Sequence, residues 1–145
     1  MLSHFARLRP WIPFYEETLN RKEKPKSRFY KTNFRSSFST PVSENLYLKK
    51  NYKDKIFKSI VESELIDKLE FKYSDLPFYF LKFWFEEIYN KPLDLLAEER
   101  IFNKLQLERT MFNPYKKLKL DEIVPTEEDN FFRYSKLHGY VHDEG

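Results

Sequence analysis

The sequence predicts an all-α chain: two or three central helices, over residues 53–71, 75–90 and 92–111, carried between long extended N- and C-terminal arms. Three observations lead there. Glycine occurs twice in 145 residues, at Gly139 and Gly145, so the chain lacks the residue that most readily makes the tight turns of strand-rich folds. Apolar residues recur every four positions across 53–71 and again across 92–111, the period of a one-sided helix. Between these stripes lies the densest aromatic run of the chain, Phe78 to Phe85, behind Ser74-Asp75 and Pro77, which together mark a helix start. The domain division that follows is a basic arm over 1–50, a helical core over 51–113 and a tail over 114–145 that is acidic and then extended.

The first fifteen residues hold Arg7 and Arg9 and no acid, with Leu2, Phe5 and Leu8 three apart. A basic, acid-free, amphipathic start is the pattern of a mitochondrial targeting segment, here expected to be retained. Pro10 and Pro13 bracket Trp11 and Ile12, so an extended or turning segment is expected there. Residues 20–50 are rich in Ser, Arg and Lys, with Phe29, Phe34 and Phe38 at intervals of four or five. That spacing fits neither a strand nor a helix rich in apolar residues, and it predicts an extended arm. Residues 1–50 carry 11 Lys/Arg against 4 Asp/Glu, while the whole chain has a net charge of only +3.

The central helices come next. Phe57, Val61, Leu65 and Leu69 make the first stripe, flanked by Ile56 and Ile60. The second helix is apolar all round through Phe80, Leu81, Phe83, Trp84, Phe85 and Ile88, and such a helix must be covered all round. Asn90-Lys91-Pro92 forms a corner with Pro92 opening the third helix, whose stripe is Leu93, Ala97, Ile101 and Leu105. In the tail, Pro125 and Thr126 precede an acidic run that predicts a short helix over 126–137 carrying Phe131, Phe132 and Leu137, with the end extended.

Little of this carries chemistry. There is no cysteine, hence no disulfide, thiolate metal site or thiol nucleophile. His138 and His142, followed by Asp143 and Glu144, are the one group of ligand-type residues, but Gly139 and the chain end leave them without a framework. Glu86-Glu87 and Glu98-Glu99 are adjacent pairs and point about 100° apart on a helix, so neither pair shares a face. No phosphate-cradling glycine loop or nucleophile elbow is present. The expectation is therefore a non-enzyme with no cofactor and no metal. No stretch reaches the ~20 apolar residues of a membrane-spanning helix.

The function that follows is structural: an accessory subunit of a large mitochondrial assembly, peripheral to the inner membrane, such as a respiratory complex or the ATP synthase. Trp11, Phe14, Phe29, Phe34 and Phe38 on the arm, with Phe80, Trp84 and Phe85 on the second helix, are the expected partner-binding residues, filling pockets on neighbouring protein subunits. With its basic arm, few helices and aromatic plugs, the chain resembles accessory subunits of large assemblies in general character. A membrane surface or lipid headgroups are further contacts for the basic arm. Two alternatives use the same features: a mitochondrial ribosomal protein holding rRNA through that arm, and a structural protein inside a filamentous or ciliary assembly.

Overall fold

The computed structural model describes residues 1–142. It is a mixed α/β chain, which corrects the all-α expectation. Three α-helices and five short strands are present among the described residues. The strands lie in the regions expected to be extended arms or, in the tail, a helix. Two compact units make up the chain, Met1–Ile12 with Phe57–Phe112, and Pro13–Ile56 with Asn113–Gly145.

The second unit is the strand-bearing one. Strands β1 (Tyr30–Lys31), β2 (Thr40–Ser43) and β3 (Leu46–Leu48) form an antiparallel sheet in the order β1-β3-β2. Thr40 pairs with Leu48 and Ser43 with Leu46, so β2 and β3 are a hairpin turning at Glu44-Asn45 without glycine. Pro41 sits on β2, an edge strand, where its missing amide removes no ladder bond on the open side. Phe14, Leu19, Tyr30, Tyr52, Ile56 and Leu137 are buried. Thr18 is also buried; its hydroxyl donates to the Tyr15 carbonyl at 2.5 Å and lies 3.0 Å from the Tyr30 hydroxyl. The Tyr52 hydroxyl lies 2.6 Å from the Phe14 carbonyl and 2.5 Å from Glu17 Oε1. Burial pushes the Glu17 carboxyl up, but its bonds from Lys55 and Tyr52 outweigh this and hold it below the usual range.

Residues 125–138 are a hairpin instead of the expected helix. Strand β4 (Pro125–Asp129) pairs with β5 (Ser135–His138) in the register Asp129 to Ser135. Burial along β4 alternates, with Glu127 and Asp129 turned to the covered side. Residues two apart share one face of a strand and lie about 200° apart on a helix. On the strand they meet one guanidinium: Arg133 donates to Glu127 Oε1 at 2.8 Å and to Asp129 Oδ2 at 2.5 Å. Asp129 Oδ1 also accepts the amides of Phe131 (2.8 Å) and Phe132 (3.1 Å), closing the turn. Desolvation raises the Asp129 carboxyl, but Arg133 and these two amides more than reverse it, leaving it below its ordinary range. Leu137 on β5 is fully buried.

Helix α1 (Tyr52–Val61) starts within a residue of its expected beginning and ends ten residues early. The reason is local. The Ser63 hydroxyl donates to the Ile60 carbonyl at 2.8 Å, competing with helical bonding. The Ile66 amide then goes to the Arg7 carbonyl at 2.7 Å instead of a carbonyl one turn back. Leu65 and Leu69, read as helix stripe, are exposed at 54% and 74%.

Helix α2 (Leu76–Tyr89) matches its expectation within a residue at each end. Asn90 terminates it in the left-handed region, and the Lys91 amide returns to the Glu86 carbonyl at 3.3 Å. Pro92 caps α3 (Leu93–Ala97), whose Leu93 amide donates to Glu86 Oε1 at 3.0 Å. The third expected helix, 92–111, is therefore much shorter in α form. It passes into a π turn at Glu98–Phe102, with the Asn103 amide bonded to the Glu98 carbonyl, five residues back. Gln106, at φ 55°, adopts the left-handed conformation and stops the coil.

Candidate functional site

The best-built constellation in the first unit is the knot at the head of α2. Ser74 is 2% exposed, and its hydroxyl donates to the Arg9 carbonyl at 2.6 Å. The sequence assigned Ser74 and Asp75 to capping. In the structure Asp75 occupies the N-cap position without a side-chain cap bond, while Ser74 spends its hydroxyl on the N-terminal segment. The Asp75 carbonyl takes the Phe78 amide at 2.9 Å, and the Asp75 amide reaches the Pro10 carbonyl at 3.4 Å. Leu76 and Pro77, in the first turn of α2, are buried.

His4 completes the knot. Its Nδ1 lies 3.3 Å from the Ser74 amide and 3.2 Å from the Ser74 carbonyl, so a bare Nδ1 accepts from the one and a protonated Nδ1 donates to the other. The His4 ring sits 4.7 Å from Tyr73, 5.6 Å from Phe78 and 5.7 Å from Phe71. His4 and Arg7 both have positive φ, at 59° and 60°. Arg7 exchanges two bonds with Ile66, its carbonyl accepting the amide and its Nε donating to the Ile66 carbonyl at 2.6 Å. Residues 3–10 are thereby held along 64–75. Tyr73 stands at the lip of this arrangement, 61% exposed.

The sequence-predicted partner residues fall in different settings. Trp11 is 48% exposed, Phe34 65% and Trp84 50%. Phe14 is buried among its own chain's residues. Phe29 and Phe38 are half-buried; Phe29 meets Tyr52 edge-on at 5.5 Å, and the Arg28 guanidinium lies 4.6 Å from its ring centroid. Phe80 is half-buried and stacks on Phe57 at 5.7 Å. Phe85 lies 5.5 Å from Trp84 and 6.3 Å from Tyr89, which Arg100 covers. Phe78, Trp84, Phe85, Ile88 and Tyr89 remain an exposed apolar band along α2.

The other polar residues singled out in the sequence have structural roles. Glu86 caps α3. Glu99 pairs with Lys91 at 2.5 Å, which holds its carboxyl below the usual range. His142 Nδ1 lies 2.9 Å from Glu127 Oε2, and His138 sits on β5; Asp143 and Glu144 lie outside the described residues. Among the described residues no group of three His, Cys, Asp or Glu is placed to hold a metal, and no helix is long and apolar enough to cross a membrane. The knot around His4 was missed by sequence reasoning because it joins residues about seventy apart that no local spacing connects; the Arg133 bridge, only four and six residues long, was missed because 126–137 was read as a helix.

No family model matches the chain, and no solved structure matches it. Two curated proteins are similar over part of it. Each is described as "Putative D-alanyl-D-alanine carboxypeptidase", one from Escherichia coli strain K12 and one from Escherichia coli O157:H7. Each is 36% identical over 83 residues, covering 50% of this chain and 19% of the relative. The chain thus spans about a fifth of the length of the curated relatives it matches.

Proposed function

We propose that this chain serves a D-alanyl-D-alanine carboxypeptidase-type function, supplying framework and peptide-facing surface around the head of α2. The observation that carries this reading is the 36% identity over 83 residues with the two Escherichia coli proteins. A carboxypeptidase transfers a peptide acyl group to water. One acyl-transfer constellation combines S-x-x-K with S-D-N and K-T-G. Ser74-Asp75 supplies the first two positions of the S-D-N triplet, with Leu76 in the third. The 145 residues contain neither S-x-x-K nor K-T-G, so the reading assigns this chain no nucleophile. Ser74 itself is buried and bonded to Arg9, which suits a positioning role rather than attack on a substrate.

The test is nuclear magnetic resonance titration of the full chain with a blocked tripeptide ending in D-Ala-D-Ala, against the same peptide ending in L-Ala-L-Ala. The reading expects saturable shifts at Tyr73, Asp75 and Phe78 with the D-peptide alone. Equal response to both peptides, or none to either, overturns it.

A second reading is favoured by the exposed band of α2: a non-catalytic accessory subunit that buries Trp84 and Phe85 against a neighbouring protein. Its assignment to a mitochondrial inner-membrane assembly rests on the acid-free residues 1–15 alone. Co-purification separates the readings. Stable protein neighbours lost on Trp84→Ala support the subunit reading, whereas neighbours released by RNase support the ribosomal alternative.

A further inference from the structure

The three-stranded sheet of the second unit turns one face away from the core. Cross-strand partners share a face, and successive residues along a strand alternate. Tyr30 pairs with Leu48, and the burial of Tyr30 marks that side as inward. The next rung, Lys31–Tyr47–Pro41, therefore faces outward, with Tyr47 on the central strand. Rings flank it. Phe34, 65% exposed, meets Tyr47 edge-on at 6.1 Å, and the Lys31 ammonium lies 5.3 Å from the Phe38 centroid. The Lys50 amide donates to the Ser37 carbonyl at 3.0 Å, which sets Lys49 and Lys50 alongside the turn where Arg35 bridges to Phe38.

The charges around these rings say which partner fits. Arg35, Lys49 and Lys50 are exposed and make no ion pair among the described residues. Lys31 spends one donor on the Ser27 carbonyl at 2.7 Å and keeps its charge. From Arg28 to Lys50 the cations are Arg28, Lys31, Arg35, Lys49 and Lys50, against the one acid Glu44 in the β2–β3 turn. Rings interleaved with unpaired cations match a polyanion that carries flat apolar groups. A single nucleic-acid strand offers a phosphate and a free base face with every nucleotide. A duplex hides those faces in its own stack. An anionic bilayer needs a contiguous apolar patch to insert, and Phe34 is the one large apolar side chain of residues 28–50 that stands mostly in solvent.

We propose that the outer face of this sheet binds single-stranded nucleic acid, with bases stacked on Phe34 and Tyr47 and phosphates held by Arg35, Lys49 and Lys50. The site is independent of the D-alanine reading, since it lies in the other unit and uses none of the residues at the head of α2. Failure of either leaves the other standing.

The experiment follows the fluorescence anisotropy of labelled strands of about ten nucleotides as the full chain is added at ~0.1 M NaCl. Oligouridylate and oligothymidylate are the single strands, and the tighter of the two names RNA or DNA. An abasic strand of the same length, a duplex of the same length, and phosphatidylserine–phosphatidylcholine vesicles are the comparisons. Saturable binding of a base-bearing single strand, tighter than any of these, is expected. Phe34→Ala, at an exposed ring, should weaken it ~5-fold or more through the lost stack. Lys49→Gln with Lys50→Gln should lower the salt slope of log Kd by about 1.4, ~0.7 for each phosphate contact. Absence of saturable binding by both single strands overturns the proposal. So does equal or tighter binding of the abasic strand, the duplex or the vesicles, and so does parent-like binding by Phe34→Ala or an unchanged salt slope in the lysine variant.

Discussion

Replacing Arg133 with alanine tests the hairpin that the structure puts in place of a helix. The Arg133 side chain is 7% exposed and bridges Asp129, 4% exposed, and Glu127, 30% exposed. Removing one partner of a buried ion pair typically costs ~3–5 kcal/mol, because the other charge stays buried. Two features reduce that figure here. Asp129 keeps the Phe131 and Phe132 amides, and Glu127 keeps water on its exposed third. The expected loss at pH 7 is therefore ~2–3 kcal/mol. With a urea slope of ~1–2 kcal/mol per M, the midpoint falls by about 1–3 M. The pH dependence gives a second view of the same bridge. Asp129 is held below its ordinary range in the fold. It therefore contributes stability that is present above the unfolded carboxylate pKa of ~3.9 and is lost as pH falls through the folded value. The gap between parent and Arg133→Ala should be widest at neutral pH and should begin to narrow as pH falls below about 4. Urea unfolding followed by near-ultraviolet circular dichroism at pH 7 and pH 3 measures both. A loss of less than ~0.5 kcal/mol at pH 7, the size of an exposed pair, would rule out a buried bridge. An equal loss at both pH values would rule it out too.

Other expectations follow from burial and bonding. Leu137→Ala removes a fully buried side chain and should cost ~2–5 kcal/mol, whereas Leu69→Ala, at 74% exposed, should stay within ~0.5 kcal/mol; the pair of urea midpoints decides whether Leu69 is stripe or surface. Ser74→Ala leaves the Arg9 carbonyl without its hydroxyl partner and should cost ~1–2 kcal/mol, with faster hydrogen exchange at the Ile66 and Lys72 amides. Burial, with Tyr115, Tyr47 and Glu44 nearby, pushes the Tyr140 phenol up to about 12, and burial raises its stacked neighbour Tyr115 as well. Spectrophotometric titration at ultraviolet wavelengths should show Tyr140→Phe removing one phenol from the high-pH end of the curve; an unchanged curve contradicts the assigned environment.

The helices were legible where the signal was local. Ser74, Pro77 and the run to Tyr89 placed α2 within a residue at each end, because a helix start, an apolar body and Asn90 all lie in one window. The stripe from Phe57 to Leu69 misled, since its second half depends on a bond between Ile66 and Arg7 that no periodicity reveals. The sheets were illegible for a different reason. Strands of two to five residues carry too few alternations to register, and the four- and five-residue spacing of Phe29, Phe34 and Phe38 hid them. In the tail, Thr126-Glu127-Glu128-Asp129 has the composition of a helix start, and only Arg133, just across the turn, holds its alternate carboxylates on one strand face. The head of α2 was visible as a helix start. Its closure by His4 and Arg9, seventy and sixty-five residues away, was not.

Calorimetric titration of the full chain with the two blocked tripeptides, ending in D-Ala-D-Ala or L-Ala-L-Ala, and repeated with Asp75→Asn, puts the proposed function to the sharpest test. The expected outcome is at least ~10-fold preference for the D-peptide, corresponding to ~1.4 kcal/mol, and a reduced preference in the variant. Equal affinities for the two peptides, or a D-preference untouched by Asp75→Asn, would overturn the assignment of the head of α2 to D-alanyl peptide recognition.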